Sequence, residues 1–258
     1  MQSFTSRLAE NRPFLVAHRG CTGLAPENTR ASFLCAARLG LHAIETDVRF
    51  AGDGSLVCSH DDSLLRMFGV EANVSAMAPA DLRALVPTRG NGLSAWPREM
   101  LSVPTFGEYL DICEKFGKVP FIETKGDTSV VKPVLDEVRR RGLAKVAVLS
   151  SIDFGHVAEA RRLDKDVFVH HIFSAPDLLG ELAGFGNAGL SYDYPDLDAV
   201  PEGLVEGVHA RGVKMCLRAG DTPETVARML AIGLDYIPTN CMIPCDFFKR
   251  RDAEAQRS

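Results

Sequence analysis

Residues 16–61 read VAHRGCTGLAPENTRASFLCAARLGLHAIETDVRFAGDGSLVCSHD, and the polar residues of this stretch that carry chemistry stand where apolar runs end. Side chains placed in this way sit at the ends of rigid strands. Residues 14–18 (FLVAH) form a short buried-strand pattern that breaks at Arg19-Gly20, and residues 42–48 (HAIETDV) form a second whose end carries Glu45 and Asp47. Residues two apart on a strand point to the same face, so the two carboxylates lie side by side. Like charges that close repel one another, and a shared proton or a bound cation relieves them; a hard divalent metal suits the pair. Between the strands, Pro26-Glu27-Asn28-Thr29 opens a helix whose apolar residues Phe33, Leu34, Ala37 and Leu39 recur at helical spacing until Gly40 stops it. An Asp53-Gly54 turn then folds residues 55–60 (SLVCSH) back as a hairpin arm, which brings His60 toward the mouth that His18 occupies. Imidazoles on the two sides of a metal are suited to act as acid and base.

Strand, helix, strand is a beat that the rest of the chain repeats. Helices are predicted over 106–116, 130–141, 153–163, 176–183, 201–211, 223–232 and from about 241, with strands over 119–124, 145–150, 166–172, 188–193, 213–218 and 234–238. Apolar strands alternating with amphipathic helices imply a parallel sheet covered on both faces. Eight such units in about 250 residues is the size of a (β/α)8 TIM barrel. A doubly wound open sheet shares the alternation, but His18, Glu45 and Glu123 fall at the C-terminal ends of different strands, where barrels build their sites. Residues 62–102, rich in Ala, Pro, Gly and Arg with one helical piece near 80–85, read as a small insertion after strand 2 that crosses the barrel mouth. Residues 1–258 are expected to form one barrel domain carrying that insertion.

Composition narrows the class further. The chain has 258 residues, 46% apolar and 24% charged, which is ordinary for a globular protein, and its net charge of −5 leaves no basic footprint for nucleic acid. No stretch is long and apolar enough to span a bilayer, and residues 1–13 show no apolar signal core, so a cytoplasmic location is expected. Seven scattered cysteines fit reduced thiols better than a disulfide framework, and Cys241-x3-Cys245 has no second pair with which to hold zinc.

The third strand of the alternation, residues 119–125 (VPFIETK), sets Glu123 and Lys125 on one face, a carboxylate for the metal beside a cation for an anionic oxygen. Together, His18-Arg19-Gly20, Pro26-Glu27-Asn28-Thr29, Glu45-x-Asp47, Asp53-Gly54, His60-Asp61 and Glu123-x-Lys125 stand in the order and spacing of the glycerophosphodiester phosphodiesterase family, which the chain resembles. The likeness continues more softly through HDDSLLR, DLRAL, VPTFGEYL, VLSSID and DYIPTN. It implies metal-dependent hydrolysis of a small-molecule glycerophosphodiester to glycerol 3-phosphate and an alcohol. Glu45, Asp47 and Glu123 would hold one divalent cation, Mg2+ or Ca2+, with His18 and His60 as the acid/base pair and Arg19 and Lys125 facing the phosphate. Glu27 and Asn28 either cap the first helix or support the site from behind, and Lys125 has a second reading as a partner for Glu123 alone.

Two positions depart from the family pattern. Where a Trp is common near the end of strand seven, this chain reads VKMCLRAGD with Arg218 close by, and where many members read T-D near strand eight it reads Thr239-Asn240. Both changes make the rim more positive, so Arg218, with His171 at the end of strand five, is expected to meet negative charge beyond the one phosphodiester. Related lipid or sugar phosphodiesters, as in phospholipase D-like or opine-phosphate enzymes, are an alternative substrate class. A non-catalytic barrel that binds a phosphate ligand is a third reading, and oligomeric state is not legible.

Overall fold

The computed structural model describes residues 2–10 and 13–241. In chain order its elements are α1 (Phe4–Glu10), β1 (Leu15–Ala17), α2 (Arg30–Arg38), β2 (Ala43–Phe50), β3 (Leu56–Cys58), α3 (Leu65–Phe68), α4 (Pro79–Ala84), α5 (Arg98–Leu101), α6 (Phe106–Phe116) and β4 (Val119–Thr124). There follow α7 (Val131–Arg140), β5 (Val148–Ser151), α8 (Phe154–Leu163), β6 (Phe168–His171), α9 (Leu179–Phe185), β7 (Ala188–Ser191), α10 (Leu204–His209), β8 (Lys214–Cys216), α11 (Pro223–Ala231) and β9 (Ile237–Thr239). The sheet runs β8-β7-β6-β5-β4-β2-β1-β9 with every neighbour on that path parallel, while β3 pairs antiparallel with β2 as the returning hairpin arm. The Asp235 N–H donates to the Met215 carbonyl at 2.9 Å across the seam between β8 and β9. The result is a nearly closed barrel of eight parallel strands with helices between them, the TIM-barrel architecture that the alternation predicts.

Strands this short and apolar bury both faces, and two layers of core result. The outer layer packs the helices on the sheet, with Phe33, Tyr109, Leu135 and Val157 fully buried. The inner layer fills the barrel with Val16, Phe121, Val148, Phe168, Cys216 and Tyr236. Phe4 of α1 joins this inner layer, its ring meeting Phe14, Phe168 and Tyr236 edge-on at 5.6, 4.7 and 5.7 Å. Helix α1 thus plugs the N-terminal end of the barrel and leaves the opposite end for chemistry. It was not expected from the sequence, because seven residues are too few to show a helical period.

The insertion has a core of its own rather than being a bare loop. Leu64, Val74 and Leu82 pack with Val57 of β3 and Val103. The helix expected from about 241 and Cys245 lie outside the described residues.

Candidate active site

The turn after β1 is built for close approach. Arg19 has φ +56° and Gly20 φ +83°, the left-handed region that costs a non-glycine residue energy. A Cβ on Gly20 would lie 2.4 Å from Ser32 Oγ, so only glycine lets this turn pack on the start of α2. The strained turn aims the Arg19 N–H at Glu45, donating to Oε2 at 2.6 Å, while the Arg19 guanidinium reaches Glu27 at 3.1 Å and Asp47 at 3.5 Å. Asn28 is also left-handed (φ +51°); its Nδ2 donates to Asp47 Oδ2 at 2.8 Å and its Oδ1 accepts from Thr46 Oγ1 at 2.8 Å. The helix cap is Thr29, whose hydroxyl accepts from the Ser32 N–H. Glu27 and Asn28 therefore hold the site together from behind instead of capping α2.

Parallel pairing of β2 with β4 sets Asp47 opposite Glu123. Glu45, Asp47 and Glu123 each bring a carboxylate oxygen within 4.8 Å of the other two, and they are only 6%, 0% and 7% exposed. Burial, with Asp47 and Glu123 beside it, pushes Glu45 well above the usual carboxylate range. Burial and Asp47 likewise raise Glu123 to about 7. Burial works against the charge on Asp47 too, yet Lys125, His60, Arg19 and the Asn28 bond hold its pKa below the usual value. Lys125 bonds Glu123 and lies 3.3 Å from Asp47 Oδ1. Glu45 Oε1 and Asp47 Oδ1 are buried without a hydrogen bond. An all-oxygen set of three acids, with Glu45 Oε1 orphaned and Asp47 Oδ1 met only by the Lys125 ammonium, fits a hard divalent cation.

These shifts have a sign that can be measured. A carboxyl whose folded-state pKa is raised contributes stability at low pH, and that contribution is lost as pH rises through the folded value. We expect the Tm of cation-free protein to fall between about pH 5 and pH 8 as Glu123, raised to about 7, is forced to ionise. Magnesium or calcium should raise Tm more at the upper end than at the lower. Thermal scans with and without EDTA check this, and a cation effect independent of pH would contradict it.

The imidazoles are each tied back by one nitrogen. Asn240 gives its amide N–H to Asp221 Oδ2 at 2.8 Å, so its oxygen faces His18 Nδ1 at 3.0 Å and accepts from it. That leaves the His18 Nε2 lone pair free. Burial and the neighbouring Arg19 lower the His18 pKa, partly offset by the Asn240 bond and the Asp47 charge. His60 Nδ1 sits 2.6 Å from Asp61 Oδ1; a carboxylate only accepts, so Nδ1 carries the proton here as well. Asp61 is in turn bonded by Arg66, which also donates to Glu27 Oε1 at 2.5 Å and so ties the insertion to the mouth.

His18, Arg19, Glu45, His60, Glu123 and Lys125 all line one cavity of about 410 Å3 at the C-terminal end of the barrel, a volume typical of small-molecule sites. Asp47 is fully buried and does not itself line the cavity, and two expected members at the rim behave differently. His171 does not line it: both ring nitrogens are engaged behind the strand, Nδ1 with Ser174 Oγ at 3.0 Å and Nε2 with the Ile152 carbonyl at 3.1 Å. The strand period places His170 and Ile172 inward, hence His171 outward. Arg218 does line the cavity, but its guanidinium is paired with Asp193 at 2.8 Å, so its charge is already answered. His156, His170 and His209 are held by Thr124, Tyr236 and Asp235 respectively, as structural histidines are. Asp221, which anchors Asn240, had no signal in a single sequence beyond its place after a strand.

Comparison with known proteins agrees with this geometry. The model of the glycerophosphoryl diester phosphodiesterase family matches residues 18–242. A glycerophosphodiester phosphodiesterase of Caldanaerobacter subterraneus subsp. tengcongensis is 25% identical over 235 residues, 89% of this chain and 94% of that protein. A Mycobacterium tuberculosis relative is 40% identical over 83 residues, a similarity that spans 32% of this chain and only 30% of that protein. Among solved structures, an Oleispira antarctica phosphodiesterase in complex with its product sn-glycerol-3-phosphate superposes with a TM-score of 0.81 at 24% identity, covering 97% of this chain and 100% of that one, and shares its fold. With the family pattern running from His18 through the last described strand, the chain belongs to the glycerophosphoryl diester phosphodiesterase family.

Proposed function

We propose that the protein hydrolyses glycerophosphodiesters to glycerol 3-phosphate and an alcohol, with the catalytic residues His18 and His60 and one divalent cation, Mg2+ or Ca2+, held by Glu45, Asp47 and Glu123. The observation that carries this reading is a cluster of three buried, mutually repelling carboxylates, two of which, Glu45 and Glu123, line the same cavity as two imidazoles that are each tied back through Nδ1. The family is shown for this chain, and the product complex of the Oleispira protein supports the substrate class.

A phosphodiester resists attack because its own negative charge repels a nucleophile. The cation would supply Lewis-acid stabilisation of a phosphoryl oxygen. Arg19 and Lys125, both at the cavity wall, would face the phosphate and neutralise the remaining charge, Lys125 being freed from Glu123 once the cation is held there. His18, its pKa lowered by burial and Arg19, takes at Nε2 the proton of the attacking water, whose oxygen bonds to phosphorus as the bond from phosphorus to the alcohol breaks. His60, oriented by Asp61, returns a proton to the leaving alcohol.

The test is glycerol 3-phosphate release from glycerophosphocholine, glycerophosphoethanolamine, glycerophosphoglycerol and glycerophosphoinositol, with EDTA, magnesium or calcium. Release that requires a cation and is lost in Glu45→Ala supports the reading; release that persists in EDTA contradicts it. The same assay separates an enzyme from a barrel that only binds a phosphate ligand. Among the described residues no helix is long and apolar enough to cross a membrane, and six cysteines are free thiols. The free thiols support a cytoplasmic setting, which cell fractionation tests.

A further inference from the structure

The cavity has two unlike halves. The acid/base residues, Arg19 and Lys125 stand on or just after β1, β2 and β4 and on the adjoining hairpin, whereas the wall formed after β5, β6 and β8 presents Ile152, Ile172, Phe173 and Leu217, with Arg218 as its charged member. Four large apolar side chains are well exposed among the described residues, and two of them, Ile152 at 52% and Phe173 at 38%, are on this wall. Water-exposed apolar surface at the rim of a polar site is a mark of ligand contact.

This wall is also held in place. Phe173 has φ +55°, a strained conformation for a bulky residue. Its N–H donates to Ser191 Oγ at 3.2 Å, and the next N–H, that of Ser174, donates to the Ser191 carbonyl at 2.7 Å. The Arg218 guanidinium stacks over the Phe173 ring, 4.8 Å from its centroid, and is neutralised by Asp193. His171 joins the two loops from behind, bonding the Ile152 carbonyl with one nitrogen and Ser174 with the other. A solvent-exposed phenylalanine pinned in a strained turn, with a paired arginine over its ring, is an arrangement prepared for an apolar guest. An extra anionic group would find no unpaired cation there.

Resting on the phosphodiesterase reading of the same site, we propose that the Ile152–Phe173 wall binds an alkyl chain on the alcohol esterified opposite the glycerol, so that the preferred substrate is an amphiphilic glycerophosphodiester. Arg218 and His171 act as positioning residues for this wall. A methylene fully buried is worth about fourfold in affinity, and one laid on a wall open to water on one side about half that factor.

The experiment uses the full chain with magnesium and two series below their micelle-forming concentrations. Calorimetry gives Kd for methyl-, butyl-, hexyl- and octylphosphonate, and steady-state kinetics gives kcat/KM for the matching glycerophosphoalkyl esters. Expected is a Kd that falls about twofold per methylene with kcat/KM rising in parallel. In Phe173→Ser, and separately in the surface variant Ile152→Ser, that gradient should flatten to less than half its slope. A wild-type Kd independent of chain length, no phosphonate binding at all, or an undiminished gradient in both variants would overturn the proposal. If no ester is turned over, the phosphodiesterase reading fails by itself, and the phosphonate gradient still decides the wall.

Discussion

Alanine at His18 or His60 is expected to lower kcat toward a glycerophosphodiester by about a hundredfold to ten-thousandfold, the usual worth of a placed acid or base. The two losses should differ in kind. His60, held through Nδ1 by Asp61, is assigned the protonation of the leaving alcohol, which matters less when the leaving group is acidic. His18, bonded through Nδ1 to Asn240 and lowered in pKa by burial, is assigned the activation of the nucleophile, which matters for every substrate. With a nitrophenyl ester the His60→Ala variant should recover most of its activity and His18→Ala should not. Kinetics on the two esters check this, and recovery in His18→Ala alone would reverse the assignment. Because the buried His18 is lowered from its ordinary value, the rising limb of kcat/KM with pH should lie below the range of a free imidazole.

Replacing Glu45 by glutamine is expected to have opposite effects on activity and on stability. Activity should fall about a thousandfold or more, since a cation at a phosphoryl oxygen supplies several kcal/mol of charge stabilisation, and the cation-induced rise in Tm should vanish. The cation-free variant should nevertheless melt higher than the wild type above neutral pH. The reason is that Glu45 is buried, raised in pKa by Asp47 and Glu123, and carries an oxygen with no hydrogen bond. Glutamine removes the repelled charge, and its carbonyl can still accept the Arg19 N–H that Glu45 Oε2 accepts. Thermal scans and assays on one preparation test both halves; a variant less stable than the wild type at high pH would show that the three acids do not strain the cation-free fold.

The barrel and its centre were legible because strand chemistry is periodic. Glu45 with Asp47, and Glu123 with Lys125, lie two apart, and a period of two puts each pair on one face whatever the exact strand ends. The same rule shows why His171 was misread. At the end of β6 a shift of one residue exchanges inside for outside, and a lone sequence contains no marker to tell His170 from His171. Arg218 was located at the mouth, but its partner Asp193 lies 25 residues away on another loop, so its neutralisation could not be read. Asn240 was visible as a departure from the family pattern, while its job of orienting His18 depends on Asp221 across the β8–β9 seam. Helix α1 and the small core of the insertion escaped notice because each rests on contacts with distant strands and too few residues to show a period.

The most direct measurement is a crystal structure of the protein grown with manganese and glycerol 3-phosphate, read by anomalous scattering. The account predicts one strong peak bonded to Glu45, Asp47 and Glu123, with the phosphate facing Arg19 and Lys125 and lying between the free nitrogens of His18 and His60. Manganese bound elsewhere, or a phosphate seated away from both histidines, would contradict it.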